Sequence, residues 1–170
     1  MKIKHTIIRT VFFFFILLSG FNIFSQQTEE VNRDGNIIFV TSEDSLMNEA
    51  IGKARERWNI FIKSFAEKKE YQENFGVKYP FELEDGYEHV WLNNLKLKNG
   101  ILIGSVNNDP EFTREVKYGD RVKVDPRKIS DWMYFENGKL KGGYTILAAI
   151  ESLPEEQKKA MKISFGIENK

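Results

Sequence analysis

The sequence predicts an α+β domain in which helices cover one face of an antiparallel sheet. Between residues 46 and 65, apolar side chains recur at three- and four-residue steps, which is the period of an amphipathic helix. Between residues 75 and 140 the apolar period shortens to two. Turn signals rich in Asn, Asp and Gly interrupt this second region at near-regular intervals, which is typical of short strands joined by tight turns.

Residues 1–25 have the layout of a secretory signal peptide. Three basic residues precede an apolar block from Val11 to Leu18, and the chain turns polar at Gln26. The block is far shorter than the ~20 residues that span a bilayer. We therefore expect cleavage near residue 25 and a secreted or periplasmic protein without a stable membrane anchor. An uncleaved signal anchor is the alternative, because Ile23 stands where a small residue is preferred before the cut.

Composition limits the chemistry of the exported chain. Loss of Lys2, Lys4 and Arg9 with the leader leaves 22 basic against 25 acidic residues, or about −3. This balance lacks the basic field that nucleic-acid binding requires, so we expect no nucleic-acid partner. The absence of cysteine excludes thiol nucleophiles, thiolate metal sites and a lipidated cysteine. His89 is then the sole imidazole, and we expect no metal and no cofactor.

The polar residues 26–36 are expected to form a flexible lead-in to a single domain over residues 37–170. Residues 37–40 are β-branched and apolar and predict a short strand. Thr41 and Asp44 fit a helix start, and the amphipathic period then predicts one helix of about 25 residues. Such a helix is expected to cover one face of the sheet.

Two Asn-Gly pairs predict hairpins in an antiparallel meander of four to six strands. Asn99-Gly100 separates the apolar segments 92–97 and 101–106, and Asn137-Gly138 separates 132–135 from the residues around Leu140. Residues 121–125 alternate valine with charge, which predicts a strand with one wet face. Short C-terminal helices are expected over residues 144–153 and 155–163, with Pro154 between them.

Several segments together resemble the bacterial YegJ-like family, a domain family of unknown function. The similar segments keep their order across residues 46–150, and they are residues 75–81, 86–91, Gly104 with Asn107 and Pro110, 117–122, 129–132 and 142–145. The resemblance implies a single domain. It implies no activity, because the family has none assigned, so no catalytic residue is carried over from it.

The segment Glu88-His89 is the most suggestive of chemistry. In a strand, Tyr87, His89 and Trp91 share one face. His89 could act as a general base oriented by Asp131, and Asp131 could form a carboxylate pair with Glu88 or Asp120, as glycoside hydrolysis requires. The structural alternative is a half-buried His89 bonded to a neighbour and an Asp131 that caps backbone amides.

A second candidate site is the segment Gly142-Gly143-Tyr144 at a helix start. Its backbone N–H groups could bind an anion, with Lys139 and Lys141 nearby. The alternative is a chain reversal whose positive φ only glycine tolerates.

We interpret the chain as an exported, non-catalytic binding or interaction module. Its partner would be an unknown protein or envelope ligand. The sheet would present aromatic and imidazole side chains to that partner, and the predicted members are Tyr87, His89, Trp91, Trp132 and Tyr134. The alternatives are an extracytoplasmic hydrolase that uses Glu88, His89 and Asp131, and an inhibitor or immunity-type protein that blocks a toxin or a hydrolase.

Overall fold

The computed structural model describes residues 28–33, 36–84 and 86–167, and the predicted signal peptide lies outside these ranges. Within them, no helix has both the length and the apolarity needed to cross a membrane. Strand β1 (Thr28–Arg33) pairs antiparallel with β2 (Asn36–Thr41). The predicted strand 37–40 is confirmed, but the expected flexible lead-in includes β1. A lone β2 would leave its backbone groups unpaired, and pairing with β1 satisfies them.

Two helices replace the single long helix that the period predicted. Helix α1 covers Ser42–Glu56 and helix α2 covers Trp58–Ala66, with Arg57 between them at φ −96° and ψ 13°. The indole N–H of Trp132 donates to the carbonyl of Ala54 at 2.8 Å. A continuous helix would offer this same carbonyl to the Trp58 amide. The sheet therefore binds the helix backbone at the break.

The main sheet has six antiparallel strands, and the α+β class is confirmed. In chain order the strands are β3 (Gln72–Leu83), β4 (Gly86–Lys98), β5 (Ile101–Val106), β6 (Arg121–Lys123), β7 (Asp131–Glu136) and β8 (Lys139–Gly142). Their spatial order is β6-β5-β4-β3-β7-β8. The chain thus runs as a meander from β3 to β6 and then crosses back to place β7 beside β3. The meander predicted from the sequence does not include this crossing.

Both Asn-Gly hairpins are confirmed. Asn99 and Gly100 have φ of 51° and 76°, and Asn137 and Gly138 have φ of 50° and 74°. Positive φ at both central residues matches the right-handed twist of the flanking strands. The two C-terminal helices also form as predicted, as α3 (Tyr144–Glu151) and α4 (Glu155–Ser164).

The sheet has an inner face, on which α1 and α2 pack, and an outer face. Val77, Leu92 and Trp132 lie opposite one another on neighbouring strands and are almost fully buried on the inner face. The ring of Phe61 in α2 lies 5.4 Å from that of Trp132, measured between centroids. Because side chains alternate along a strand, the intervening residues of β3 to β6 point to the outer face.

Candidate functional site

Three residues of β4 form an aromatic row on the outer face, and we use this name for Tyr87, His89 and Trp91. Tyr87 is 58% exposed, His89 is exposed and Trp91 is half-buried. The rings of Tyr87 and His89 lie 6.4 Å apart between centroids. Lys78 lies opposite Trp91 on β3, with its Nζ 6.0 Å from the indole centroid. The alternation seen in the sequence therefore places these three side chains together.

The imidazole of His89 is held by a serine that the sequence did not single out. Nδ1 of His89 lies 2.6 Å from Oγ of Ser130, and Ser130 is 1% exposed. His89 as a whole residue is exposed, whereas this edge of its ring is covered by the serine. Burial lowers the pKa of His89, and the positive charges of Lys78 and Arg55 lower it further. This shift favours the neutral form of the ring, and Ser130 orients it in place of the expected Asp131.

Two cations flank this imidazole. Lys78 is half-buried, and its burial lowers its pKa while the nearby Asp131 opposes that shift. Nε of Arg55 in α1 donates to the carbonyl of Ile129 at 2.8 Å. Arg55 thus fixes the segment that carries Ser130. Neither contact can be predicted from the sequence, because each joins elements far apart in the chain.

The carboxylate of Glu88 holds a loop and takes no part in the aromatic row. It accepts hydrogen bonds from the backbone amides of Glu111 at 2.6 Å, Phe112 at 2.9 Å and Thr113 at 2.7 Å. Burial acts to raise the pKa of Glu88, but the three amides and Arg114 outweigh it and lower the pKa. Glu88 therefore ties the long β5–β6 connection to β4.

The carboxylate of Asp131 is fully buried and caps helix α3. It accepts from the Trp132 amide at 2.8 Å, the Tyr144 amide at 3.1 Å, and the Thr145 amide and hydroxyl at 2.8 and 2.7 Å. Burial raises the pKa of Asp131, although the Thr145 and Trp132 bonds act against it. Asp131 therefore caps backbone amides, as the structural alternative predicted. The capped amides of α3 lie thirteen and fourteen positions further along the chain.

The anion site expected at Gly142 and Gly143 is already occupied by the protein itself. Asp131 takes the amides of the first turn of α3, and the Gly143 amide donates to the Trp132 carbonyl at 2.8 Å. Gly142 and Gly143 have φ of 71° and 65°, in accord with the chain-reversal alternative. Tyr144 is half-buried and packs edge-on against Trp132.

The exposed aromatic surface is smaller than the sequence predicted. Trp132 and Tyr134 are 2% and 4% exposed and lie on the inner face. Tyr134 stacks on Phe75, and its hydroxyl lies 3.1 Å from Oγ of Ser64 in α2. These two residues are core residues because β7 is an interior strand covered by helices, so they cannot contact a partner.

The carboxylates and imidazole proposed for a hydrolase do not converge. Glu88 bonds the β5–β6 connection, Asp131 bonds α3, and His89 bonds Ser130. A concavity of about 500 Å³ in the described part of the chain is lined by residues between 109 and 120 and by none of these three. Asp120 accepts from the Lys117 amide at 3.0 Å and closes a turn.

The sequence reading missed a group of cations on the outer face. We call it the basic patch, and it consists of Lys78, Lys96, Lys98, Arg121 and Lys123. Register places Lys96 opposite Ile103, and Ile103 opposite Lys123. A bulge at Asn94, whose φ is 47°, shifts the alternation of β4 by one residue. Strict alternation counted from Tyr87 would therefore assign Lys96 and Lys98 to the inner face.

The six-stranded sheet and its helices define an α+β domain. The chain belongs to the bacterial family described as "Uncharacterized protein conserved in bacteria (DUF2314)", whose model matches residues 44–169. It is 37% identical over 111 residues to the uncharacterized protein YegJ of Escherichia coli K12, covering 65% of this chain and 71% of that protein. The predicted resemblance to a YegJ-like family is thereby confirmed.

A second relative is longer than this chain. Identity is 32% over 143 residues to a Neisseria meningitidis serogroup B protein named "Putative ankyrin repeat protein", covering 79% of this chain. The match covers 56% of that protein, so the chain spans about half its length. No solved structure matches the chain.

Proposed function

We propose that this protein is an exported, non-catalytic binding module whose aromatic row contacts a protein or envelope partner. The observation that carries the proposal is the position of Tyr87, His89 and Trp91 on one open sheet face. Aromatic side chains are enriched at the centres of interfaces because they bury a large area at little conformational cost. Tyr87, which is 58% exposed, has the most area left to bury.

The row is partly ordered before any partner arrives. Ser130 fixes one edge of the His89 ring, and Lys78 lies over the Trp91 ring. A surface whose rotamers are already fixed loses less entropy on binding. The neutral imidazole can also donate or accept a hydrogen bond, which adds a directional contact beside the aromatic ones.

The geometry favours binding over the hydrolase alternative. A general acid or base must reach the reacting group within hydrogen-bond distance. The oxygens of Glu88 receive three backbone amides and those of Asp131 receive three amides and a hydroxyl. Their structural bonds leave His89 without a carboxylate partner for catalysis.

Export is part of the proposal and rests on the leader of residues 1–25. Cell fractionation with N-terminal sequencing of the native protein tests it. We expect the periplasmic or secreted product to begin near Gln26. A soluble cytosolic product that retains Met1 would contradict export.

Capture of partners from envelope extracts tests the binding surface. The double variant Y87A/W91A removes two members of the aromatic row, and Y71A/Y118A is the matched control, because Tyr71 and Tyr118 are 51% and 63% exposed and are not members of it. We expect the unaltered chain and the control to recover the same partner and Y87A/W91A to lose it, at unchanged melting temperature for the control. Equal recovery by both double variants, or confirmed turnover of a substrate, would refute the proposal.

A further inference from the structure

We infer that the outer face binds an acidic protein segment that also carries apolar side chains. This inference rests on the proposed function and specifies the chemistry of the partner. It is drawn from the basic patch, which extends the aromatic row across β5 to the edge strand β6.

The first argument is the arrangement of charge. Lys96, Lys98, Arg121 and Lys123 are exposed, and Lys78 is half-buried. Among the residues whose side chains are described, the outward positions of β4, β5 and β6 carry no acid. The acids that share the outer face lie on β3 and β7, and they are Glu73, Glu82 and the buried Asp131. The outer face of β4 to β6 is therefore positive, although the exported chain as a whole is expected to be slightly acidic. A partner of opposite charge is attracted to such a face and oriented by it.

The second argument is that the four exposed cations of the basic patch are free to pair. The ion pairs of the described residues lie elsewhere, for example Lys53 with Glu49 in α1 and Lys158 with Glu151 between α4 and α3. None of them includes a member of the basic patch. No internal carboxylate has to be displaced before a partner's carboxylate can bind.

The third argument distinguishes a protein segment from other polyanions. Half-buried Ile103 lies between Lys96 and Lys123, and Ile101, 38% exposed, lies opposite Lys98. Isoleucine between cations suits a segment that alternates carboxylates with apolar side chains. A phosphate or sulfate chain would leave these apolar groups against charged oxygens.

Single-stranded nucleic acid fits the arrangement less well. Such ligands are bound where cations interleave with the aromatic rings on which bases stack. Here the aromatic row occupies one end of β4, and Lys78 is the member of the basic patch that lies against it. Most of the basic patch surrounds isoleucine instead.

Fluorescence anisotropy with labelled synthetic probes tests the inference on the purified chain. The probes are a dodecapeptide of alternating Glu and Leu, a dodecapeptide of Glu alone, a thymidine dodecamer and heparin. We expect the alternating peptide to bind most tightly. Charge reversal in K96E/K123E should weaken that binding by about tenfold or more, because two attractive contacts become repulsive. The control K63E/K159E makes the same charge change on α2 and α4 and should leave binding within about twofold.

Several results would overturn the inference. They are equal binding of both peptides, tighter binding of the thymidine dodecamer or heparin, and unchanged binding by K96E/K123E. A milder variant, K96Q/K123Q, repeats the test if charge reversal lowers the melting temperature. If Y87A/W91A loses the native partner while K96E/K123E retains it, this inference fails and the proposed function stands. If neither variant affects partner recovery, both fail.

Discussion

Asp131 and Thr145 are joined by two hydrogen bonds, from the Thr145 amide at 2.8 Å and from its hydroxyl at 2.7 Å. Asp131 is the first residue of β7 and Thr145 the second of α3, so the pair fixes the helix onto the sheet. The carboxylate sits at the positive end of the α3 dipole, where negative charge is stabilised. Because Asp131 has no exposed surface, its oxygens have no access to solvent.

Replacing Asp131 with Asn should lower the free energy of unfolding by about 2–4 kcal/mol, because an amide NH₂ would then face buried donors. Urea denaturation followed by circular dichroism measures this change. The control D125N alters a partly exposed turn carboxylate paired with Arg127 and should have a much smaller effect. Comparable losses in the two variants would contradict the capping role.

Replacing Gly142 with Ala should destabilise the protein by about 2–4 kcal/mol. A Cβ at this position would lie 2.2 Å from the Trp132 carbonyl oxygen, and the residue has φ of +71°. The matched change is G52A, where a Cβ meets nothing within 4 Å inside α1. It should stabilise the protein by about 0.5–1 kcal/mol through helix propensity. Thermal melts of both variants decide the prediction, which fails if they shift in the same direction.

Replacing Glu88 with Gln should loosen the β5–β6 connection. Hydrogen exchange at the amides of Glu111, Phe112 and Thr113 should accelerate, because each loses a charged acceptor. The exposed Glu82 provides the control, E82Q. Unchanged protection of the three amides in E88Q would show that the loop is held by other contacts.

Glu88 also makes stability depend on acid. Its pKa is lowered on folding from the ordinary value of 4.5, so the unfolded chain binds the proton more readily. The stabilising contribution is complete above that value and is lost as the pH falls through the folded pKa. Acid unfolding of E88Q should therefore show a shallower decline below pH 4.5 than acid unfolding of the unaltered chain.

His89 should produce a second acid-dependent loss of stability at higher pH. Its pKa is lowered on folding from 6.5, so the unfolded chain takes up a proton that the folded imidazole resists. Its contribution is thus retained above pH 6.5 and declines as the pH falls below it. H89Q should flatten the decline in the free energy of unfolding in this range. If the free energy of unfolding of H89Q and of the unaltered chain declines equally in this range, the pKa of His89 is not lowered on folding.

Local signals in the sequence predicted much of the fold. The Asn-Gly hairpins, the two C-terminal helices and the common face of Tyr87 and His89 follow from turn chemistry, a helical period and a period of two. Each depends on residues close together in the chain. The break at Arg57 and the pairing of β7 with β3 depend on distant contacts, such as that of the Trp132 indole with Ala54. Period and propensity contain no information about such contacts.

The candidate site was likewise predictable only where it depends on residues close together in the chain. Alternation identified the aromatic row, but the partners of His89 and Asp131, which are Ser130 and Thr145, are brought near them only by the folded sheet. The basic patch was not predicted because the bulge at Asn94 shifts the side-chain alternation of β4 by one residue and turns Lys96 and Lys98 to the outer face. The net charge of the chain also did not indicate the basic patch. It sums the charges of the whole surface, on which cations and carboxylates lie in different places.

The crossing that places β7 beside β3 has a consequence for how the chain acquires its structure. Residue 77 meets residue 132 only after everything between them has been synthesised. The hairpins from β3 to β5 can form early from neighbouring sequence, whereas the central seam must wait for the C-terminal third. A nascent or truncated chain would therefore expose the unpaired edge of β3 to other molecules. This edge is where we expect a chaperone to bind while the chain folds.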